Sequence, residues 1–164
     1  MTPVVQNEWW SRGVRFTCLP NCGRCCNEPE GIVYLSPFDV TRLSAKFDME
    51  IIDWLNRDCE KTLDGRYVLK SRENDLICIY LNSNLECDVY EVKPTQCSAF
   101  PWWDENLRSQ RSWEKTKKMC PGIEHSDAIM IEGNEIMMWK DADQNASIGF
   151  RRWPPSKGKS GKPN

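Results

Sequence analysis

The chain is 164 residues long and carries 22 Lys and Arg against 24 Asp and Glu, a net charge of −2. That length suits one domain able to bury its own core, and the near-balanced charge excludes binding of nucleic acid through a global basic field. No stretch approaches the ~20 apolar residues of a membrane-spanning helix, and MTPVVQNEWWSRG has neither the basic start nor the apolar run of a signal peptide. The expectation is a soluble cytoplasmic protein with no membrane partner.

Residues 1–11 read as an N-terminal arm, with Trp9 and Trp10 available as anchors. A cysteine-rich loop follows, and then a short apolar run, Ile32 to Leu35, that predicts a strand. Ser36-Pro37-Phe38-Asp39 is a helix start: Ser36 caps, Pro37 suits the first position and Asp39 faces the N-terminal dipole. Val40, Leu43 and Phe47 continue at helical spacing. A second helix is expected from Asp48, with Ile51, Ile52, Leu55 and Cys59 on one face. After a turn at Asp64-Gly65, strands are predicted over residues 66–70 and 76–81.

Between Asn82 and Trp103, turn residues and cysteines dominate, and Pro94 and Pro101 break regular structure. Asp104 is positioned to cap a helix running to Lys118, which would put Trp113 and Cys120 on one face. The run IMIEGNEIMMW fits either a hairpin about Gly133-Asn134 or a helix capped by Asn134, and the helix is preferred. The ending PPSKGKSGKPN reads as a flexible basic tail over 151–164, leaving 12–150 as one cysteine-cluster domain. The expected fold class is α+β: a small single domain organised around cysteine-rich loops, with helices packed on a few short strands.

Nine cysteines punctuate this plan, four of them within nine positions: Cys18, Cys22, Cys25 and Cys26. In a reducing cytoplasm such a pattern points to metal binding rather than disulfides. An exported chain would reverse that reading, although the cysteine count is odd and the adjacent pair Cys25-Cys26 is poorly spaced for a disulfide. Cys59 is explained by its helix face, which leaves eight. Cys18-x3-Cys22-x2-Cys25 lets one tight loop aim several sulfurs at one ion, with Gly23 easing the turn. Cys78, Cys87, Cys97 and Cys120 arrive from other segments, Cys97 shortly before Pro101 and Cys120 directly before Pro121. Zinc and iron–sulfur clusters both accept such thiolate sets. Burial as plain apolar thiols is the competing explanation, but four beside Asn21, Gly23 and Arg24 do not form a core face.

This pattern resembles a known family. Cys18-x3-Cys22-Gly23-x-Cys25-Cys26, then Cys78, then Cys87-Asp88-Val89-Tyr90-x2-Lys93-Pro94-x2-Cys97-x2-Phe100-Pro101, then Cys120-Pro121-Gly122-Ile123, is similar to the CxxCxxCC cysteine-cluster family over residues 14–125. The resemblance implies chelation of zinc or iron. Lys93 departs from it, standing where the family usually has arginine; lysine keeps the charge but loses the planar fork. Larger relatives resemble flagellin lysine methylases, which makes a cluster-containing protein-modifying enzyme one alternative function. A zinc-braced interaction module is another. The spacing of Cys18, Cys22 and Cys25 also matches radical S-adenosylmethionine enzymes, but the chain is short for the ~200 residues or more of their β/α barrel.

Eight thiolates carry a large negative charge, about −4 after two Zn²⁺ bind and about −2 for four of them around one [4Fe–4S] unit. Nearby cations are therefore wanted, and Arg15, Arg24 and Lys93 are the candidates. Trp102-Trp103, directly after the Cys97 turn, are placed to shield a cluster from water. The reading favours an iron–sulfur cluster, [4Fe–4S] in type, with structural zinc next, serving electron transfer, metal handling or bracing rather than catalysis. Cys18, Cys22, Cys25 and Cys97 are grouped at one position and Cys26, Cys78, Cys87 and Cys120 at a second. His125, the single histidine, reads as an exposed loop residue.

Overall fold

The computed structural model describes residues 7–26 and 31–155. The outer parts of the expected arm and tail, residues 1–6 and 156–164, lie outside the described residues. Helices carry most of the regular structure, and the strands are short. In chain order they are β1 (Val14–Phe16), α1 (Pro37–Lys46), α2 (Ile51–Asp58), β2 (Cys59–Lys61) and β3 (Tyr67–Leu69). A 3-10 turn at Tyr90–Val92 follows, then α3 (Thr95–Ala99), α4 (Asp104–Leu107), α5 (Gln110–Met119), β4 (Ile129–Ile131) and α6 (Gly133–Ser147). The strands form two antiparallel pairs, β1 with β4 and β2 with β3, in registers Val14↔Ile131 and Cys59↔Leu69. The α+β class expected from the sequence is what the chain adopts.

α1 begins where the sequence places it. Ser36 Oγ accepts from the Asp39 N–H at 3.1 Å while Asp39 Oδ2 accepts from the Ser36 N–H at 3.0 Å, a reciprocal capping box. α2 starts three residues later than expected, because Asp48 takes a left-handed conformation (φ 52°) and Glu50 becomes the N-cap. Its buried residues are Trp54, Leu55 and Asp58, and Ile52 faces outward. Cys59 is buried as expected, but as the first residue of β2 rather than on the helix face.

Two expected strands are absent as strands. Residues 32–35 pair only through a single Tyr34↔Val68 bridge, and residues 76–81 through isolated bridges at Cys78 and Leu81. Polar turn chemistry wins there: Asn82 Oδ1 accepts from the N–H groups of Asn84 and Glu86 and folds the chain before a ladder can grow. The helix expected from Asp104 is two helices, since Ser109 turns extended (ψ 160°) and caps α5 through the Ser112 N–H. The preferred helix forms as α6, with Glu132 rather than Asn134 as N-cap, and the hairpin about Gly133-Asn134 does not; the residues just before the helix make β4, which pairs with β1.

Two apolar clusters hold these elements. The first gathers Leu35, Val40, Leu43, Trp54, Leu55, Leu69, Tyr80 and Val89, with Cys78 and Cys87 packed on its edge. The second gathers Trp10, Val14, Trp102, Leu107, Trp113, Ile123 and Ile136, and includes Cys120. Trp10 thus docks the described end of the arm, helped by Trp9 Nε1 donating to the Leu107 carbonyl at 3.0 Å. Cysteines sit on both clusters, so the seam between them is where the thiols meet.

Candidate metal centre

Each thiol is delivered by a local structural device. β1 is pinned beyond its end to the Cys120 turn: the Thr17 N–H donates to the Gly122 carbonyl at 3.1 Å, and Phe16 bridges to Ile123. An added Cβ on Gly122 would stand 1.9 Å from the Thr17 carbonyl oxygen, so only glycine lets Cys18 and Cys120 approach from these two chains. Gly23, at φ +57°, folds the loop so that the Cys26 N–H donates to its carbonyl at 3.2 Å. The loop is then tied across to Cys78, whose N–H donates to the Cys26 carbonyl at 3.3 Å. The Asn82 turn brings Cys87 back beside Leu81. Cys97 sits within α3, and Cys120 ends α5 as its C-cap.

All nine cysteines are free thiols. Seven of the eight candidates line a cavity of about 500 Å³ together with Tyr90, Lys93, Trp102 and Trp139. A second cavity, about 880 Å³, is lined by Cys25, Cys26, Cys78 and Cys97, among others. Cys25, Cys26 and Cys97 line both. Cys59 lines neither, and burial pushes its thiol up.

Inside this arrangement the thiols of Cys25, Cys78 and Cys87 act on Cys26 and push its own thiol up. The same interactions lower its partners: Cys25 to about 7, Cys87 to about 7, and Cys78 downward too, with Lys93 assisting at Cys25 and Cys87. Burial pushes Cys97 well up, and the charges of Cys78, Cys25 and Cys87 add to it. Cys18 is raised by burial and by its neighbours Cys25 and Cys22, against Lys93 and a hydrogen bond with Tyr90. Burial raises Cys120 to about 11, with Cys22 and Cys25 as its charged neighbours.

The first group read from the sequence, Cys18, Cys22, Cys25 and Cys97, lines the smaller cavity together; of the second, Cys26, Cys87 and Cys120 line that cavity too, and Cys78 lines the larger one. Cys78 is tied to Cys26 by a backbone hydrogen bond. Of the three candidate cations, Lys93 lies among the thiols, held 4.3 Å over the Tyr90 ring. Arg24 lines the smaller cavity. Arg15 turns away and donates to the Ala128 carbonyl at 2.9 Å. Trp102 lines the smaller cavity and stacks on Trp113 at 5.4 Å, whereas Trp103 borders the larger one. His125 lines neither cavity and accepts from the Asp127 N–H at 3.0 Å.

Sequence reasoning missed Tyr90 and two buried carboxylates, Asp39 and Asp143, that brace α3. Tyr90 lies three residues before Lys93, a spacing that pairs side chains on one turn and was a legible signal. Asp143 carried none.

Chemically, the donor set fits a thiophilic cation. Thiolates are soft donors, and zinc and iron–sulfur clusters both take them in sets of four. Among the described residues no group of three or more His, Cys, Asp or Glu side chains stands in a ready-made metal-holding arrangement; the thiols converge on open cavities instead. No described helix is long and apolar enough to cross a membrane.

No solved structure matches the chain. The family model described as "Putative zinc- or iron-chelating domain" matches residues 17–121, which spans the cysteines from Cys18 to Cys120. With well over half of its length matched and seven cysteines of that stretch lining one cavity, the chain belongs to the CxxCxxCC family.

Proposed function

We propose that this protein holds zinc or iron through Cys18, Cys22, Cys25, Cys26, Cys78, Cys87, Cys97 and Cys120, and acts as a metal-binding rather than a catalytic protein. The observation that supports it most is that seven of these eight cysteines line one cavity, while Cys78 joins Cys25, Cys26 and Cys97 around the second. Zinc bound at about 2.3 Å to each thiolate sets neighbouring sulfurs about 3.8 Å apart around a tetrahedron. Thiolates of an iron–sulfur cubane stand much farther apart because iron atoms intervene. The thiols of Cys25, Cys26, Cys78 and Cys87, which act on one another's titration, are the set we assign to a single ion. Cys18, Cys22 and Cys120 form an outer group that Cys25 adjoins. The Lys93 ammonium offsets part of the thiolate charge.

One feature favours a second reading, an iron–sulfur cluster at the outer group. The 500 Å³ cavity there exceeds what an ion needs, and the apolar rings of Trp102 and Phe16 are part of its lining. Such a cluster would serve electron transfer, while a single zinc would serve bracing or metal handling. Either belongs in a reducing compartment, for which we propose the cytoplasm.

Protein purified without air, followed by metal analysis and an absorption spectrum, tests both. Stoichiometric zinc without colour supports the single-ion reading, and a brown band with iron and sulfide supports the cluster. A preparation holding neither metal removes the proposal.

A further inference from the structure

Among the candidate ligands Cys97 alone sits inside a helix. Cys18, Cys22, Cys25, Cys26, Cys78 and Cys87 lie in loops and turns, and Cys120 is a C-cap. Yet α3 has five residues, and its N-cap, Pro94, makes no side-chain capping bond. So short a helix has no stability of its own. It is braced from outside, by carboxylates from two other helices.

Asp39 of α1 is fully buried. Its Oδ1 accepts from the Thr95 N–H at 3.0 Å and the Thr95 hydroxyl at 2.8 Å, and from Arg42 at 2.7 Å. Arg42 also donates to the Lys93 carbonyl at 3.2 Å, so the whole Lys93–Thr95 approach is fastened to α1. On the opposite flank, Asp143 of α6 is buried and accepts from Gln96 Nε2 at 3.0 Å and from the Asp104 N–H at 3.1 Å. Gln96 Oε1 in turn accepts from the Tyr34 N–H at 2.7 Å, and its carbonyl from Trp103 Nε1 at 2.7 Å. The two residues immediately before Cys97 are thus each gripped by one buried carboxylate. Burying charge is costly, and apolar packing holds helices together at least as well. What a fully bonded carboxylate adds is a fixed position.

We propose that Asp39 and Asp143 are positioning residues for Cys97: by gripping Thr95 and Gln96 they hold its thiol where the other sulfurs converge, and so set the affinity of the centre. This inference rests on the metal-holding function proposed above. It concerns groups that never touch the metal, acting as the outer partners of metal ligands act elsewhere.

The test uses the full chain loaded with zinc and a chromophoric chelator that competes for it. Asp39→Asn and Asp143→Asn should each weaken apparent zinc affinity about tenfold or more. Thr95→Val removes one of the Asp39 bonds and should give a smaller loss; it carries the test if Asp39→Asn does not fold. Repeating the substitutions in a Cys97→Ser chain separates positioning from general weakening. There they should have almost no further effect, because the coupling runs through Cys97. Unchanged affinity in the Cys97-containing variants, or an equal loss with and without Cys97, overturns the inference while leaving zinc binding by the unaltered chain intact. If the unaltered chain holds neither zinc nor iron, the metal-binding function fails first and takes this inference with it.

Discussion

At Gly122 the absence of a side chain is a geometric requirement, since the neighbouring Thr17 carbonyl carbon and oxygen occupy the space a Cβ would fill. Gly122→Ala should therefore force β1 and the Cys120 turn apart, at a cost of about 1–3 kcal/mol typical of overpacking. Urea unfolding measures that loss, and weaker metal retention should accompany it because Cys18 and Cys120 ride on the two chains. Asp58 allows a different kind of test. Burial pushes its carboxyl up, but hydrogen bonds from Arg57 and from the Tyr80 hydroxyl (2.6 Å) prevail and hold it below the usual carboxylate range. A depressed folded-state value contributes stability above the unfolded value of about 3.9, and that contribution disappears as pH falls through the folded value. Asp58→Asn should cost about 1–3 kcal/mol at neutral pH. The gap between variant and unaltered chain should narrow below pH ~4, as read from urea midpoints at several pH values. Of these residues the sequence marks the cysteines and Lys93 plainly, because four thiols in nine positions have no core explanation. Asp39 is marked only as a helix-start acid; its grip on Thr95, 56 residues away, depends on packing that no local pattern encodes.

Among the elements, α1 is the most legible, because its start is written in local chemistry. Ser36 offers the capping oxygen, Pro37 fits the first turn, and Asp39 completes the reciprocal bond. Ser36→Ala should lower stability by about 1 kcal/mol, read by urea denaturation. Its effect on metal content should be small, since Asp39 keeps its bonds to Thr95. The strands are the least legible. β1 and β4 have three residues each and lie far apart in sequence, so their pairing is decided by the second apolar cluster rather than by alternation. β2 begins at Cys59, immediately after α2, and helical spacing extends the helix pattern through it. The break between α4 and α5 was legible in principle: Ser109, followed three residues later by the Ser112 N–H it accepts from, is a cap signal inside an apparent single helix. Turn-rich stretches such as residues 82–87 were read correctly as irregular, yet the point of that irregularity is spatial. The Asn82 turn returns Cys87 to Leu81.

For the whole molecule, the thiols occupy the seam between two apolar clusters, with Cys78 and Cys87 on the edge of one and Cys120 within the other. A cation gripped by sulfurs from both sides would cross-link the clusters, and its binding free energy would add to the stability of the folded chain. At a free zinc concentration a thousandfold above the dissociation constant, that contribution is about 4 kcal/mol. Removing the metal with a chelator should therefore lower the thermal midpoint by several degrees, and restoring zinc should recover it. Tryptophan emission should change in the same titration, because Trp102 lines the smaller cavity and stacks on Trp113 of the second cluster. The two clusters need not respond alike. The first is buried around Trp54, Leu43 and Val40 and closed by the Asp58–Tyr80–Trp54 hydrogen bonds, which owe nothing to the thiols. The second depends on Cys120 and on the β1 pairing that the Gly122 contact permits. Hydrogen exchange on the demetallated chain should accordingly show protection lost first in β1, β4 and the end of α5, with α1 and α2 retained. Uniform loss across both clusters would mean that the metal is needed to fold the entire domain, not to fasten one half to the other.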